Sequence, residues 1–175
     1  ADIWFFVFFE AFLFTSYFTV YMARRTRDAD AFLQSQAQLS LATGVLNTLI
    51  LLASSWSIAR CVQAARQGDV QAAMTNVILT VAFALTFLVV KICEWVVEIG
   101  NGYGFTASEF FSFYYFLTGL HFIHLLIGFV FLGVIVHQLG YVAHRSQPLI
   151  ETCATYWHMV DFLWILIFGL VYLVR

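Results

Sequence analysis

The sequence has few charged residues, one proline and no closely spaced cysteines, and each shortage narrows the class of protein. Only 10 % of its 175 residues are charged, whereas a soluble globular domain carries about 25 %. Hydrophobic residues make up 62 % of the chain and include 20 phenylalanines. This composition excludes an ordinary water-soluble enzyme and favours helices immersed in lipid. The eight lysines and arginines form no basic stripe, which argues against a nucleic-acid partner.

The three cysteines, Cys61, Cys93 and Cys153, lie far apart in the sequence. They form no CxxC pair, no haem-attachment motif and no zinc-binding spacing, so we interpret them as free thiols. The chain begins with Ala1 and an apolar run, without the basic region and cleavage site of a signal peptide. We expect that an N-terminal tail of unknown charge precedes this residue.

Five apolar segments are each long enough to cross a bilayer as a helix, which takes about 20 residues. None of them alternates with a period of two, as the strands of a membrane barrel do. We therefore predict an all-α membrane protein with a single domain over residues 1–175, a bundle of five transmembrane helices. The predicted helices cover about residues 3–22, 38–61, 70–99, 108–138 and 149–173.

The connections between the predicted helices are short, and two carry helix-start signals. Residues 23–36, "ARRTRDADAFLQSQ", are predicted to form the linker between helices one and two. Thr106 and Glu109 have the spacing of a capping box at the start of helix four. Pro148 suits the first turn of helix five.

Ionisable side chains are costly inside a membrane and usually face the interior of a helix bundle. The sequence places such residues in four of the five predicted helices. The main candidates for a polar network or a lipid-binding site are Glu10, Glu94, His121, His124, His158 and Asp161.

Two polar stripes lie on neighbouring antiparallel helices. His158 and Asp161 share one face of helix five, as Thr118, His121 and His124 do on helix four. We expect the stripes to meet near the middle of the membrane. They are compatible with a proton relay, a metal site or a polar head-group site, and equally with hydrogen bonds that lock the helices together. The bulky side chains nearby argue against a haem between the histidines.

The remaining intramembrane charges divide into a cluster and a single residue. Lys91, Glu94 and Glu98 lie at positions i, i+3 and i+7 of one helix face, which predicts a self-compensating ion cluster. Glu10 has no partner within helix one. It must pair with another helix, contact a lipid head group or remain protonated.

Small and aromatic residues suggest helix contacts. Helix two has a small, polar face that includes Gly44, Asn47 and Ser54, which lets another backbone approach closely. Trp157 and Trp164 share one face of helix five. We predict that Asn47, Ser54, Trp157 and Trp164 are candidates for packing against a partner chain.

Several motifs resemble one family, in the same order over essentially the whole chain. "FYYFLTGLHFIHLLIGFVFLG" (113–133) resembles the TGxHxxHxxxG helix of cytochrome c oxidase subunit III, and "TYWHMVDFLWILIFGLVYL" (155–173) resembles its YWHFVDxxW final helix. "WFFVFFEAFLF" (4–14) is similar to the family's glutamate-bearing helix, which maps Glu10 onto the buried glutamate. "LNTLILLASSWSI" (46–58) and "CEW" (93–95) also fit. Among five-helix bacterial relatives, the pattern looks most like the protein associated with nitric oxide reductase.

The resemblance implies a non-catalytic accessory subunit, without haem, copper or another metal of its own, although a bound phospholipid is compatible with it. It also implies a catalytic haem-containing partner, from nitric oxide reductase or a terminal oxidase, in a bacterial inner membrane. The N-terminus would be cytoplasmic and the C-terminus periplasmic. Two other functions stay open at this point: a stand-alone proton channel or transporter that uses the intramembrane Glu, His and Asp residues, and a haem-binding electron carrier.

Overall fold

The computed structural model describes residues 2–36, 41–102, 104, 109–140 and 146–173. Five of its helices are long and apolar enough to cross a membrane, and the described residues contain no strand, so the prediction of an all-α, five-helix membrane protein is confirmed. A sixth, short helix lies between the first two spans. The helices are α1 (Asp2–Arg27), α2 (Ala29–Gln36), α3 (Leu41–Arg66), α4 (Val70–Gly100), α5 (Glu109–Gly140) and α6 (Gln147–Phe168), and a π-helical turn (Gly169–Leu173) extends α6.

Residues 23–36 lead from the first span to the second, as predicted, but the first helix ends later than predicted and the connection is itself helical. α1 continues to Arg27, and after a bend at Asp28 the chain forms α2. Phe32 explains the extra helix because its side chain is buried, with its ring 5.8 Å from that of Tyr21 and 6.1 Å from that of Phe110. A single buried phenylalanine in a polar stretch gives too weak a periodic signal to predict a helix from the sequence. The helix forms because of the tertiary contacts of Phe32.

Local capping chemistry explains where two of the long helices begin. α4 follows the N-cap Asp69, whose side chain accepts a hydrogen bond from the backbone N–H of Ala72 at 3.1 Å. α6 follows the N-cap Ser146, and Pro148 lies in its first turn, as predicted. The capping box predicted at Thr106 lies outside the described residues.

The bundle is built around α6. This helix packs on α5, α3 and α1, whereas α3 packs most extensively on α4. At Gly44 the close neighbour of α3 is an aromatic side chain and not another backbone, because a Cβ atom there would lie 2.8 Å from Cδ1 of Tyr172. Gly128 does the same on α5, where a Cβ atom would lie 2.8 Å from Cζ3 of Trp157. The two glycines therefore set the distance of α3 and α5 from the last helix.

Candidate functional site

A buried lysine cluster is formed by Lys91, Glu94, Tyr114 and Tyr172. Lys91 Nζ donates hydrogen bonds to the hydroxyl oxygens of Tyr114 at 3.0 Å and Tyr172 at 2.9 Å. Both hydroxyl groups in turn donate to Oε1 of Glu94, Tyr114 at 2.8 Å. Lys91 Nζ also lies 3.6 Å from Oε2 of Glu94 and 4.9 Å from the ring centre of Trp164. The cation is thus surrounded by a carboxylate, two hydroxyl groups and aromatic faces.

The lysine cluster joins three parts of the fold, namely α4, α5 and the π-helical turn after α6. Its ion pair matches the cluster predicted from the spacing of Lys91 and Glu94. The sequence did not indicate Tyr114 or Tyr172, because tyrosines in apolar helices are common at the membrane interface and carry no distinguishing pattern. Glu98 is buried one turn beyond Glu94, and its Oε2 atom has no hydrogen-bond partner.

Glu10 of α1 pairs with a histidine of another helix, the first of its three predicted alternatives. Its Oε2 atom lies 2.8 Å from Nε2 of His124 on α5. The other ring nitrogen of His124 lies 2.7 Å from the carbonyl oxygen of Leu120, which can only accept, so Nδ1 carries a proton. One proton is therefore shared between Nε2 and the carboxyl group, as an ion pair or as a neutral hydrogen bond.

His121 connects α5 to α6 through the backbone. Its Nε2 atom lies 3.0 Å from the carbonyl oxygen of Val160, so this nitrogen donates the hydrogen bond. The imidazole packs against the rings of Phe87, at 5.7 Å, and Trp164, at 5.4 Å. Tyr156 adds a second connection by donating to the carbonyl oxygen of His124 at 2.9 Å.

His158 and Asp161 face α3 rather than the histidines of α5. Nδ1 of His158 lies 2.6 Å from Oγ of Ser55. Both carboxyl oxygens of Asp161 are buried without a hydrogen-bond partner, although the hydroxyl groups of Ser54 and Ser55 lie close enough to interact with the carboxyl group. The five residues of the two predicted stripes therefore do not form one network among the described hydrogen bonds. The rotation of α6 about its own axis determines which neighbouring helix its polar face meets. The periodicity of the sequence does not determine that rotation.

The residues predicted to pack against a partner lie inside this chain. Trp157 Nε1 donates to Oγ of Ser54 at 3.1 Å, and Trp164 Nε1 donates to Oγ1 of Thr48 at 3.1 Å. Both indoles are fully buried, as are Ser54 and Asn47. This corrects the expectation for Asn47, Ser54, Trp157 and Trp164, because all four are buried within this chain and leave no surface for another one.

The described residues bring no group of three or more His, Cys, Asp and Glu side chains close enough to hold a metal ion. Cys61 and Cys153 are buried free thiols, and Cys93 is an exposed one. The arrangement as a whole consists of polar side chains that connect neighbouring helices inside the membrane.

The fold and these contacts define an integral membrane bundle with a glutamate–histidine link between its first and fourth spans. Comparison with known proteins identifies the family. Residues 1–174 match the family described as "Cytochrome c oxidase subunit III". The chain belongs to this family.

Curated relatives of the chain carry the name of this family. The chain is 31 % identical over 176 residues to "Cytochrome c oxidase subunit 3" of Alkalihalophilus pseudofirmus, covering 97 % of this chain and 84 % of that protein. It is 28 % identical over 169 residues to "Probable cytochrome c oxidase subunit 3" of Mycobacterium bovis, covering 95 % and 83 %. For "Cytochrome c oxidase subunit 3" of Thermostichus vulcanus the identity is 31 % over 139 residues, covering 78 % and 68 %.

Membership in this family fits a non-catalytic membrane subunit of an oxidase complex. The five spans and the bacterial relatives also fit a protein of the inner membrane.

Proposed function

We propose that the chain is an accessory subunit of a haem-copper oxidase superfamily complex, bound to a catalytic haem-containing subunit. It stabilises that subunit, shapes its lipid surroundings and assists the access of protons or gas. The chain itself holds no redox cofactor in this proposal, although it binds phospholipid. The observation that carries the proposal is the use of the buried ionisable groups. Lys91 and Glu94 bond to tyrosines of α5 and of the π-helical turn, and Glu10 pairs with His124 of another helix, which is how a structural scaffold uses such groups.

Within this class we place the chain in the branch associated with nitric oxide reductase. The support is the set of segments "LNTLILLASSW", "KICEW", "SEFFSFYYFLTGLH" and "YWHMVD". The named relatives are subunits of cytochrome c oxidases, so oxygen reduction is the competing assignment. The family resemblance further suggests a cytoplasmic N-terminus and a periplasmic C-terminus.

A deletion experiment tests both the accessory function and the assignment to the nitric oxide reductase branch. Membranes from cells with and without the chain are assayed for nitric oxide consumption and for oxygen consumption, before and after mild heating. We expect the nitric oxide rate to fall or to become heat-labile, with the oxygen rate unchanged. A selective effect on oxygen would contradict the nitric oxide branch. Two unaffected rates would contradict the accessory function.

A stand-alone proton channel is the second candidate, favoured by the proton that Glu10 and His124 share. It predicts proton flux through liposomes that contain only this chain, and loss of that flux in Glu10→Gln. The accessory function predicts that such liposomes are no leakier to protons than empty ones.

A further inference from the structure

The four tyrosines that are buried among the described residues use their hydroxyl groups in two ways. Tyr21 and Tyr156 each donate to a backbone carbonyl oxygen, at 3.4 Å and 2.9 Å. Tyr114 and Tyr172 instead donate to the same carboxylate oxygen of Glu94. A carbonyl oxygen only accepts the hydrogen bond, whereas a carboxylate also takes the proton itself. The two tyrosines of the lysine cluster therefore differ from the others in having a base within hydrogen-bond reach.

Two local features place Tyr172 against this carboxylate. It lies in the π-helical turn Gly169–Leu173, a rare backbone form that is frequent at functional sites. Its ring also fills the space left by the missing side chain of Gly44, where a Cβ atom would lie 2.8 Å from Cδ1 of the tyrosine. The position of this phenol thus depends on an irregular turn and on a glycine of another helix.

Aromatic rings continue from the two tyrosines in both directions. The distances between ring centres are 6.2 Å from Trp164 to Tyr172, 6.3 Å from Tyr172 to Tyr114, 4.9 Å from Tyr114 to Tyr115 and 6.2 Å from Tyr115 to Trp95. All four distances lie within about 4.5–7 Å, the range of ring pairs in contact. Trp164 is fully buried and Trp95 is half-buried. The series of rings therefore runs from the core of the bundle toward its surface.

We propose that the lysine cluster is a redox site, which traps one oxidising equivalent as a neutral tyrosyl radical on Tyr172 or Tyr114. A strong one-electron oxidant, such as a high-valent haem or a radical derived from oxygen or nitric oxide, removes an electron from the series of rings. The tyrosine loses that electron together with its hydroxyl proton, because the O–H bond breaks and the proton passes to Glu94. The oxidant is reduced by one electron, and Glu94 becomes a neutral carboxylic acid.

The surroundings of the cluster favour a neutral radical over a charged one. Loss of an electron alone would leave a phenol cation beside Lys91, whose Nζ atom lies 3.0 Å and 2.9 Å from the two hydroxyl oxygens. Two positive charges at this distance inside a membrane are costly. Transfer of the proton to Glu94 avoids this cost, and the ammonium group keeps its hydrogen bond to the radical oxygen. Glu98, which is buried one turn beyond Glu94, interacts with the lysine that remains charged.

This inference goes beyond the proposed function, which assigns no redox chemistry to the chain. Only the identity of the natural oxidant depends on a haem-containing partner. In the test below, an oxidant attached to the chain replaces the natural one, so the two proposals succeed or fail independently.

Cys93 is a natural attachment point for the oxidant, because it is exposed and directly precedes Glu94, whereas Cys61 and Cys153 are buried. A ruthenium polypyridyl complex is attached to Cys93 of the full chain, together with any subunits that copurify. A light flash and a soluble cobalt(III) electron acceptor convert the label to ruthenium(III), which oxidises the protein. Samples frozen after the flash are examined by electron paramagnetic resonance. We expect a phenoxyl radical signal that is absent from Cys93→Ser protein treated in the same way.

Glu94→Gln tests the proton transfer, because the amide oxygen accepts the two hydrogen bonds but does not take the proton. Its phenoxyl signal should be lost, as should that of Tyr114→Phe combined with Tyr172→Phe. Tyr156→Phe is the matched control, since Tyr156 is a buried tyrosine that donates to a carbonyl oxygen. This control should keep the full signal.

A measurement on the wild-type protein covers the case in which these variants do not fold. Electron–nuclear double resonance of the trapped radical should detect exchangeable protons that are hydrogen-bonded to the phenoxyl oxygen. Lys91 and the protonated Glu94 donate these protons, so their couplings should disappear after exchange into deuterated buffer. No described hydrogen bond is donated to the hydroxyl oxygen of Tyr156, so a radical there would lack the couplings.

Three results would overturn the assignment. The first is the absence of a phenoxyl signal from the labelled wild-type protein. The second is a signal of wild-type size in Glu94→Gln or in the double phenylalanine variant. The third is a wild-type radical without coupling to exchangeable protons, which would place the radical on a tyrosine outside the lysine cluster.

Discussion

The last transmembrane helix and the first one differ in how they belong to the bundle. In an apolar 18-residue window of α6, 61 % of the residues are buried inside the chain. In the corresponding window of α1, only 11 % are buried. α6 contacts α5, α3 and α1, and its polar side chains bond to α3 and α5. Among the described residues, the polar links of α1 to the other spans are Glu10–His124 within the membrane, Arg24–Glu109 at its end and a hydrogen bond from the Tyr21 hydroxyl to the carbonyl oxygen of Leu170.

The exposed face of α1 is strongly aromatic. Its large exposed side chains include Trp4, Phe5, Phe8, Phe9 and Phe12. In the membrane this face meets lipid or another subunit, whereas the face of α6 that carries the family's YWHxVDxxW pattern lies inside. The comparison shows that the distinctive residues of α6 fix this chain's own packing, and that α1 is held by a few polar contacts together with buried aromatic side chains such as Phe14 and Tyr21. The following predictions test that difference, from the largest expected effect to the smallest.

Lys91→Met removes the cation at the centre of the lysine cluster. Glu94 would keep its two tyrosine donors but would lose its counter-charge inside the bundle. We expect a loss of about 3–5 kcal/mol in the free energy of unfolding, measured by denaturation in mixed detergent micelles. A loss below about 1 kcal/mol would contradict a structural role for the buried ion pair.

Gly128→Ala tests the close approach of α5 to α6. The new Cβ atom would lie 2.8 Å from the indole of Trp157, and relieving this overlap should cost about 1–3 kcal/mol of stability. Gly133→Ala is the matched control on the same helix, because no atom lies within 4 Å of the Cβ position there. The control should gain about 0.5–1 kcal/mol from helix propensity. Equal effects of the two substitutions would argue against the close contact between Gly128 and Trp157.

His124→Ala tests how α1 is held. It removes the partner of Glu10, and we expect a loss of about 1 kcal/mol, localised to α1. Hydrogen exchange should become faster in α1 while α3, α4 and α6 keep their protection. Glu10→Gln retains a hydrogen bond to the imidazole and should protect α1 nearly as well as the wild type does. Faster exchange throughout the bundle in His124→Ala would show that α1 is integral to the core.

Arg24→Met should have the smallest effect and serves as the counterpart of Lys91→Met. The pair that Arg24 forms with Glu109 spans 3.5 Å, and both side chains are substantially exposed, at 54 % and 39 %. Exposed pairs contribute about 0–1 kcal/mol. A loss comparable to that of Lys91→Met would mean that burial does not govern the strength of these pairs.

The sequence was sufficient for the parts of the fold that rest on long apolar segments. Length and hydropathy define the five spans, and Pro148 marks the start of the last one. α2 could not be predicted, because it depends on the burial of Phe32 against residues distant in the sequence.

The ionisable members of the candidate site were predictable from the sequence, but Tyr114, Tyr172 and the pairings between helices were not. Helical spacing found Lys91 with Glu94, because both lie on one helix. The spacing gave no information about which helix His158 faces, and so it missed Ser55. It also assigned Trp157 and Trp164 to an outer surface, since an apolar helix in lipid has no polar face that marks its exposed side.

The most direct test of the accessory function is to identify the proteins that copurify with a tagged chain. The complex is extracted in mild detergent, and its components are identified by mass spectrometry. We expect a catalytic haem-containing subunit, from a nitric oxide reductase or from a terminal oxidase, in a fixed ratio to the chain. Recovery of the chain alone, folded and stable, would contradict the accessory function.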